Sequence, residues 1–253
     1  KKQSDKYGYS LLFGSKNDRL KNDTFLEYFR YKCVDGIAII CTDPNDKETI
    51  SLVNSDFPIV IIDMINEHTS TVTSDNVTGC KAAIKYLYDL GHRKIAHIYG
   101  TSKIDNWPST VRKKAYIESM KEFNLEIPDG YLADGVNFDF SGGYDAMKKL
   151  LKLDDRPTAV LSSSDKIALG AIEAIKEAGL RVPEDISVIG FDDIELAKYV
   201  TPKLTTVRQN CDEIGRAAVD ILVEQINKKE KLKINKVVPV ELIVRESCSK
   251  IDN

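Results

Sequence analysis

Polar and charged side chains recur at the carboxyl ends of the apolar segments along this chain. Carboxylates accept hydrogen bonds from hydroxyl groups, an arginine donates to hydroxyl or ring oxygens, and an aromatic ring covers the C–H face of a sugar. Such a set suits a neutral polyol better than a phosphate. The residues are Thr42, Asp63, Asp75 with Asn76, the loop Thr101–Thr110 with Trp107 and Arg112 after it, Asn137 to Asp139, Ser164 with Asp165, and Phe191 to Asp193.

Several of these residues also have a purely structural interpretation. A polar residue before a helix can cap it, an aromatic residue can pack, and an arginine can be solvated or pair with a carboxylate. The recurrence of candidates at successive strand ends favours the binding interpretation. The structural alternatives are capping for Ser74, Asp75, Ser164 and Asp165, packing for Trp107 and Phe138, and solvation or ion pairing for Arg112.

Signatures of enzymes are missing from the sequence. The three histidines, His68, His92 and His97, are not placed like a catalytic triad or a metal set, and no GxSxG elbow is present. Neither GxGxxG nor GxxxxGK[ST] occurs, so dinucleotide and triphosphate sites are unsupported. His97 lies inside an apolar segment and is interpreted as a hydrogen-bonded core histidine. We expect a binding protein that is not an enzyme and uses neither cofactor nor metal.

Composition limits the class of protein further. A chain of 253 residues with 42% hydrophobic content can form one large or two modest cores. The net charge of -3 gives no positive field that would hold DNA. The five cysteines lack a CxxC pair and are interpreted as reduced core or near-core thiols. No apolar run reaches the roughly 18 to 20 residues of a membrane span, so a cytoplasmic protein is favoured, although a mature secreted chain would also lack its signal.

Short β-branched segments alternate with helical patterns almost from end to end. Several segments are continuously apolar, which is typical of strands covered on both faces of a doubly wound parallel sheet. The opening residues 1–8 indicate the last turns of a helix, so we expect the first βαβ unit to lack its leading strand. The predicted strands are Tyr9–Phe13, Gly36–Ile40, Ile59–Asp63, Thr71–Ser74, Ile95–Tyr99, Tyr131–Val136, Thr158–Ser162, Ile186–Gly190 and Thr205–Arg208.

Eight short segments form a pattern that covers nearly the whole chain. They are VDGI (34–37), SDN (74–76), LGHRKIA (90–96), PTAV (157–160), ALGA (168–171), VPEDISVIGFDD (182–193), PKLTTVRQ (202–209) and ELIVRES (241–247). This set resembles the effector-binding core of the lactose-repressor (LacI/GalR) family of bacterial transcription regulators. The stretch 182–209 is its most specific part.

The resemblance implies two Rossmann-like parallel-sheet lobes joined by three crossovers, as in type I periplasmic binding proteins. The N-terminal lobe would contain residues 1–90 and 210–238, and the C-terminal lobe residues 91–209 and 239–253. The family further implies a homodimer, an effector bound in the interlobe cleft, and operator DNA bound only through a helix-turn-helix head that is not in this chain.

The resemblance also assigns effector-binding residues. Arg112 matches the arginine that grips the effector, Phe138 the aromatic residue that stacks on it, and Asp192 the carboxylate of the Gly-Phe-Asp-Asp turn. Gln209 sits at a crossover, and Asp75 is placed at the mouth of the site. Ser164 stands where many sugar-responsive members have Asn. Asp165 and Trp107 complete the predicted site.

The sequence therefore predicts the sensing core of a bacterial transcription regulator. A sugar or sugar-like effector would shift the lobe arrangement and thereby the DNA binding of the intact protein. Two alternatives stay open: a periplasmic sugar receptor of a transporter, which has the same fold, and an enzyme on a doubly wound fold, because fold does not fix function.

Overall fold

A computed structural model of the protein describes residues 1–14, 24–40, 45–101 and 107–251. These residues form two compact units, one of residues 1–74 with 210–238 and one of residues 75–209 with 239–253. The chain passes from one unit to the other three times. Each unit is built on its own sheet, so the predicted α/β class is confirmed.

Helices and strands alternate along most of the described chain. Short 3₁₀ helices occupy Val136–Phe138 and Glu195–Lys198. In chain order the other elements are α1 (Lys2–Lys6), α2 (Phe25–Tyr31), β1 (Ile37–Ile40), α3 (Lys47–Asn54), β2 (Ile59–Ile62), β3 (Ser70–Ser74), α4 (Asn76–Asp89), β4 (Ile95–Tyr99), α5 (Trp107–Glu122), β5 (Leu132–Asp134), α6 (Phe140–Leu150), β6 (Ala159–Ser162), α7 (Asp165–Glu177), β7 (Ser187–Asp192), β8 (Thr205–Gln209), α8 (Cys211–Lys228), β9 (Asn235–Val238) and β10 (Val240–Ile243).

The first unit contains a parallel sheet in the order β1-β2-β3-β9. Val60 and Val72 pack against Ile221 on α8, whose apolar stripe therefore covers one face of this sheet. Asn210 precedes α8 and caps it, since its Oδ1 accepts a hydrogen bond from the N–H of Glu213 at 3.0 Å.

The second unit contains a sheet in the order β10-β8-β7-β6-β4-β5, in which only β10 runs antiparallel to its neighbour. Successive residues of β6 point to opposite faces: Ala159 and Leu161 join one core with side chains of α4 and α5, and Val160 joins the other with α6 and α7. Because both faces are covered, all four positions of β6 are buried, and only Ser162 among them is polar. The continuous apolar segments of the sequence have this physical origin.

Helix α4 belongs to the second unit. Its buried stripe, Ala83, Ile84 and Leu87, packs in the same core as Tyr116 of α5. The compact units consequently divide between Ser74 and Asp75, one helix before the boundary expected at residue 90. The boundary was expected at residue 90 because a helical pattern ends there. The position of α4 depends instead on its apolar stripe, which packs against the second sheet.

The strand predictions differ from the structure at two places. Residues 9–14 form neither helix nor strand, so the prediction for Tyr9–Phe13 is wrong. Leu12 and Phe13 are exposed, and a strand needs a paired or packed neighbour. The strands β9 and β10 were not predicted, because they are short and their side chains are mostly not fully buried.

The cysteines only partly follow the expectation of core or near-core thiols. Cys80 is buried and Cys248 is half-buried, but Cys33 and Cys211 are exposed, so the expectation is wrong for these two. Cys211 occupies the first position of α8, and Cys33 follows α2. None of these four forms a disulfide; Cys41 lies outside the described residues.

None of the helices within the described ranges is both long enough and apolar enough to span a membrane.

His97 is the buried histidine that the apolar pattern predicts. Its Nδ1 lies 2.8 Å from the backbone oxygen of Leu161, and its Nε2 lies 3.2 Å from Oγ of Ser163. The ring stacks on Tyr116 with 4.9 Å between the ring centres. Burial lowers the pKa of His97 to about 3, so the folded protein holds this ring neutral.

We expect the folded pKa of His97 to make the protein less stable in acid. The unfolded chain takes up the proton near pH 6.5 and the folded chain only near pH 3. The contribution of His97 to stability is therefore complete above pH 6.5 and is lost as the pH falls toward 3. Between pH 7 and pH 5 this amounts to roughly 1–2 kcal/mol.

Urea unfolding of the His97→Phe variant at pH 7 and pH 5 checks this expectation. The variant is less stable at pH 7, but the difference in unfolding free energy between the two pH values is smaller than in the wild-type protein. The exposed His68 provides a control as His68→Phe. An unchanged pH dependence in His97→Phe would refute the assignment.

Candidate functional site

Arg112 on α5 is almost completely buried, with 3% of its side chain exposed. Its Nε donates to Oδ1 of Asn76 at 2.7 Å, and its Nη1 donates to the backbone oxygen of Ser163 at 2.6 Å. The guanidinium carbon lies 3.6 Å from the centre of the Phe191 ring, which is a cation–π geometry. A buried guanidinium needs partners of this kind. Arg112 is therefore a fixed group and not a solvated helix residue.

Asp192 ends β7 and faces this arginine. Its Oδ1 lies 3.3 Å from Nη1 of Arg112 and accepts a hydrogen bond from Nε2 of Gln209 at 2.6 Å. The Asp192 side chain is 25% exposed. The ion-pair interpretation of Arg112 is thus correct, and its partner is itself a predicted binding residue. Arg112, Asp192 and Gln209 form one cluster of donors and acceptors at the ends of β7 and β8.

The backbone after β7 is strained. Asp192 has a φ of 117° and Asp193 a φ of 55°, both in the region that residues other than glycine rarely adopt. The Asp193 carboxylate accepts hydrogen bonds from Nε of Arg208 at 2.7 Å and from Nη2 of Arg245 at 2.5 Å. Although burial acts in the opposite direction, these two arginines lower the pKa of Asp193. The turn is held through an ion-paired side chain.

Asp165 lies behind the same turn and is fully buried. Its Oδ1 accepts from Oγ1 of Thr206 at 2.5 Å, and its Oδ2 accepts from the backbone N–H of Ile194 at 2.8 Å. Burial raises the pKa of Asp165 to about 7, and the charges of Asp192 and Asp193 act in the same direction.

Phe138 ends a 3₁₀ helix with a φ of 55° and is half-buried against the core that Val160 forms with α6 and α7. A Cβ at Gly100 would lie 2.3 Å from Cδ2 of Phe138, so the glycine allows the ring to approach the end of β4. Part of the Phe138 ring therefore packs against the core, as the structural alternative predicts, and the rest of the ring is exposed.

Asp75 and Ser164 both cap helices. Oδ1 of Asp75 accepts from the N–H of Thr78 at 3.0 Å, and Oγ of Ser164 accepts from the N–H of Ile167 at 3.3 Å. The capping interpretation holds for both residues. Ser164 is buried, whereas Asp75 is half-buried.

Some predicted residues cannot be placed with the cluster. Trp107 begins α5, but its side chain lies outside the described residues, as do Thr42 and loop residues 102–106. Asp63 follows β2 and belongs to the first unit.

Asp192 was predicted as a binding residue, but no role in holding Arg112 was predicted for Asn76, Phe191 or Ser163. Asn76 and Phe191 stand in recognisable motifs at strand ends, and this placement was the available signal. Ser163 contributes a backbone oxygen, which no side-chain pattern reveals.

The cluster offers hydrogen-bond donors beside a partly exposed carboxylate. Hydroxyl groups of a ligand can donate to Asp192 and accept from arginine or amide N–H groups. Among the described residues, no group of three His, Cys, Asp or Glu side chains could hold a metal ion. The arrangement is suited to binding a polar molecule.

Comparisons with known proteins agree with this architecture. The family model of the periplasmic binding protein-like domain matches residues 84–248. The chain is 39% identical over 225 residues to the ribose operon repressor of Escherichia coli (strain K12), covering 87% of this chain and 67% of the repressor. It is 36% identical over 253 residues to the HTH-type transcriptional repressor PurR of Mannheimia succiniciproducens, covering 98% and 75%.

A solved structure has the same fold. A LacI family transcriptional regulator from Enterococcus faecium with bound ribose superimposes with a TM-score of 0.77 at 28% identity, and the match covers 89% of this chain and 83% of that protein.

Replacing Asn76 tests whether it supports the buried guanidinium. In Asn76→Leu, Nε of Arg112 loses its acceptor while the charge stays buried, so we expect a loss of about 2–4 kcal/mol in unfolding free energy. Asn76→Asp keeps an acceptor at the same position and should lose far less. Urea denaturation followed by circular dichroism measures both variants. Equal midpoints for Asn76→Leu and the wild-type protein would contradict this role.

Proposed function

The chain belongs to the LacI family of transcription regulators, as the part that contains the periplasmic binding protein-like domain, and from this premise we propose that it senses a sugar or sugar-like effector through Arg112, Asp192 and Gln209. In the intact regulator, effector binding would change the affinity for operator DNA, which a head outside this chain would bind. The observation that carries the proposal is the buried Arg112, held on three sides and facing a partly exposed carboxylate.

The free energy needed to bury the Arg112 guanidinium supports a binding role for it. Burying a guanidinium destabilises a fold by several kcal/mol unless partners compensate, and apolar residues of similar size are often as good for stability. Open α/β sheets bind ligands at the carboxyl ends of their strands, which is where β7 and β8 place the cluster. A ligand that uses these groups explains why the sequence places an arginine here.

A neutral polyol fits the charges best. Arg112 and Asp192 carry opposite charges and already compensate each other. A sugar hydroxyl can donate to Asp192 and accept from Arg112 or Gln209, while the exposed part of the Phe138 ring covers a C–H face. The ribose named for two relatives belongs to this class of ligand.

The other predicted residues would either contact the effector directly or support the residues that do. Asp75, which is half-buried, and Trp107 would contribute direct contacts. Ser164 and Asp165 are buried and would support the site from within.

The effector would act by shifting the equilibrium between two conformations of the protein. A ligand shifts an equilibrium only by its difference in affinity for the two states, and coupling of about 1–3 kcal/mol is typical of allosteric proteins. We propose a cytoplasmic homodimer without catalytic activity. Relatives that are transcriptional repressors favour this over a periplasmic receptor, which would be a monomer.

Calorimetric titration with D-ribose, D-galactose and hypoxanthine tests the effector class and the site together. We expect a sugar to bind, and we expect Asp192→Asn and Arg112→Lys to weaken binding by roughly 10- to 100-fold, because the first removes the charge of the acceptor and the second replaces the planar, forked guanidinium by a single ammonium group. Arg181→Lys, on an exposed arginine paired with Asp185, is the matched control and should bind like the wild-type protein.

Two outcomes would count against the proposal. A ligand that binds both variants as tightly as the wild-type protein would place its site elsewhere. Turnover of a bound sugar during the titration would support the enzyme alternative instead.

A further inference from the structure

Asp165 is a buried carboxyl group that joins three elements of the site. It is the first residue of α7, it accepts a hydrogen bond from Thr206 on β8, and it accepts another from the backbone N–H of Ile194, directly after the strained turn. Both carboxyl oxygens are thus engaged. The residue is completely shielded from solvent, so it supports the site without contacting an effector directly.

The strained turn needs such support. Asp192 and Asp193 adopt positive φ values, and such conformations persist only where surrounding contacts fix them. Arg208 and Arg245 hold the Asp193 side chain, while Asp165 holds the backbone at Ile194.

Gly190 provides the space for this carboxyl group. A Cβ at Gly190 would lie 2.1 Å from Oδ1 of Asp165, closer than any side chain could approach. The strand that carries the turn therefore has a glycine at the point where the carboxyl group crosses it.

We propose that Asp165 is a positioning residue, whose carboxyl group fixes the Asp192–Asp193 turn and thereby sets the affinity of the effector site. The part that concerns affinity rests on the proposed function, since it refers to that same site. The part that concerns the turn can be measured without a ligand.

The charges around Asp165 make this role sensitive to pH. Asp192 and Asp193 face it from the end of β7, and Arg112, Arg208 and Arg245 pair with these two carboxylates. Thr206 and Ile194 contribute uncharged donors. Burial and the two neighbouring carboxylates raise the pKa of Asp165 to about 7, so the group changes its protonation within the physiological range.

Both protonation states can hold the turn. The carboxylate accepts from Thr206 and from Ile194, whereas the neutral acid can donate from Oδ1 to Oγ1 of Thr206 while Oδ2 still accepts from Ile194. An effector that covers Asp192 would displace the water that screens its repulsion of Asp165, and this would raise the Asp165 pKa further. Effector binding then takes up a proton, so affinity increases as the pH falls through 7.

Substitutions separate positioning from simple packing. Asp165→Asn keeps an acceptor for Ile194 and a donor for Thr206, but it cannot titrate. Asp165→Ala removes both bonds. If Asp165→Ala fails to fold, Thr206→Val removes one partner of the carboxyl group and Thr206→Ser restores it. Asp154→Ala, on an exposed carboxylate of the same unit, is the control.

Amide hydrogen exchange at Ile194 and ¹³C titration of the Asp165 carboxyl group test the turn in the protein without ligand. We expect a titration midpoint near 7, Ile194 protection close to wild type in Asp165→Asn, and protection at least 10-fold lower in Asp165→Ala, or lower in Thr206→Val than in Thr206→Ser. Equal protection in Asp165→Asn and Asp165→Ala would overturn the positioning role.

Calorimetry with D-ribose and with hypoxanthine at pH 6 and pH 8 tests the effect on affinity. We expect the wild-type protein to bind about 3-fold more tightly at pH 6, Asp165→Asn to show no pH dependence, and Asp165→Ala to bind at least 10-fold more weakly. A pH dependence that persists in Asp165→Asn would overturn this part. If neither probe binds the wild-type protein, D-ribose is not the effector, and protection at Ile194 alone decides the positioning role.

Discussion

The buried guanidinium group of Arg112 is the constraint on which the arrangement at this edge of the second sheet depends. A charge removed from water must be met by oriented dipoles, an opposite charge or an aromatic face. The second unit supplies all three, from the start of α4, the segment after β6 and the end of β7. Three parts of the chain that are far apart in sequence therefore meet around one side chain of α5. Asn76, the first residue of α4, reaches Arg112 because the apolar stripe of that helix packs against the second sheet.

Charge balance around the arginine gives the site its chemical character. The carboxyl groups of Asp165, Asp192 and Asp193 stand among Arg112, Arg208 and Arg245, and each of the two outer carboxylates is paired with at least one arginine. Near neutrality within the cluster favours an uncharged, hydroxyl-rich ligand, because a charged one would add an uncompensated charge to a poorly solvated region. Burial, together with the charges of Asp192 and Asp193, raises the pKa of Asp165 to about 7, and in the role proposed for this residue effector binding takes up a proton.

Patterns in the sequence predict the parts of this architecture that follow from periodicity and local chemistry. Continuous apolar segments indicate strands covered on both faces, and the position of His97 within one of them indicates a core histidine. The caps at Asp75 and Ser164 follow from residue type and place. Tertiary contacts decide the rest. The sequence pattern does not show which sheet the stripe of α4 covers, that β10 pairs antiparallel with β8, or that the carbonyl of Ser163 anchors Arg112.

The most direct test of the account is a crystal structure of the protein with the tightest-binding sugar from the titration panel. The account predicts ligand oxygens within hydrogen-bonding distance of the Arg112 guanidinium and the Asp192 carboxylate, with the sugar ring beside Phe138. A sugar bound at another place, with the contacts of Arg112 and Asp192 unchanged and no ligand atom near them, would contradict it.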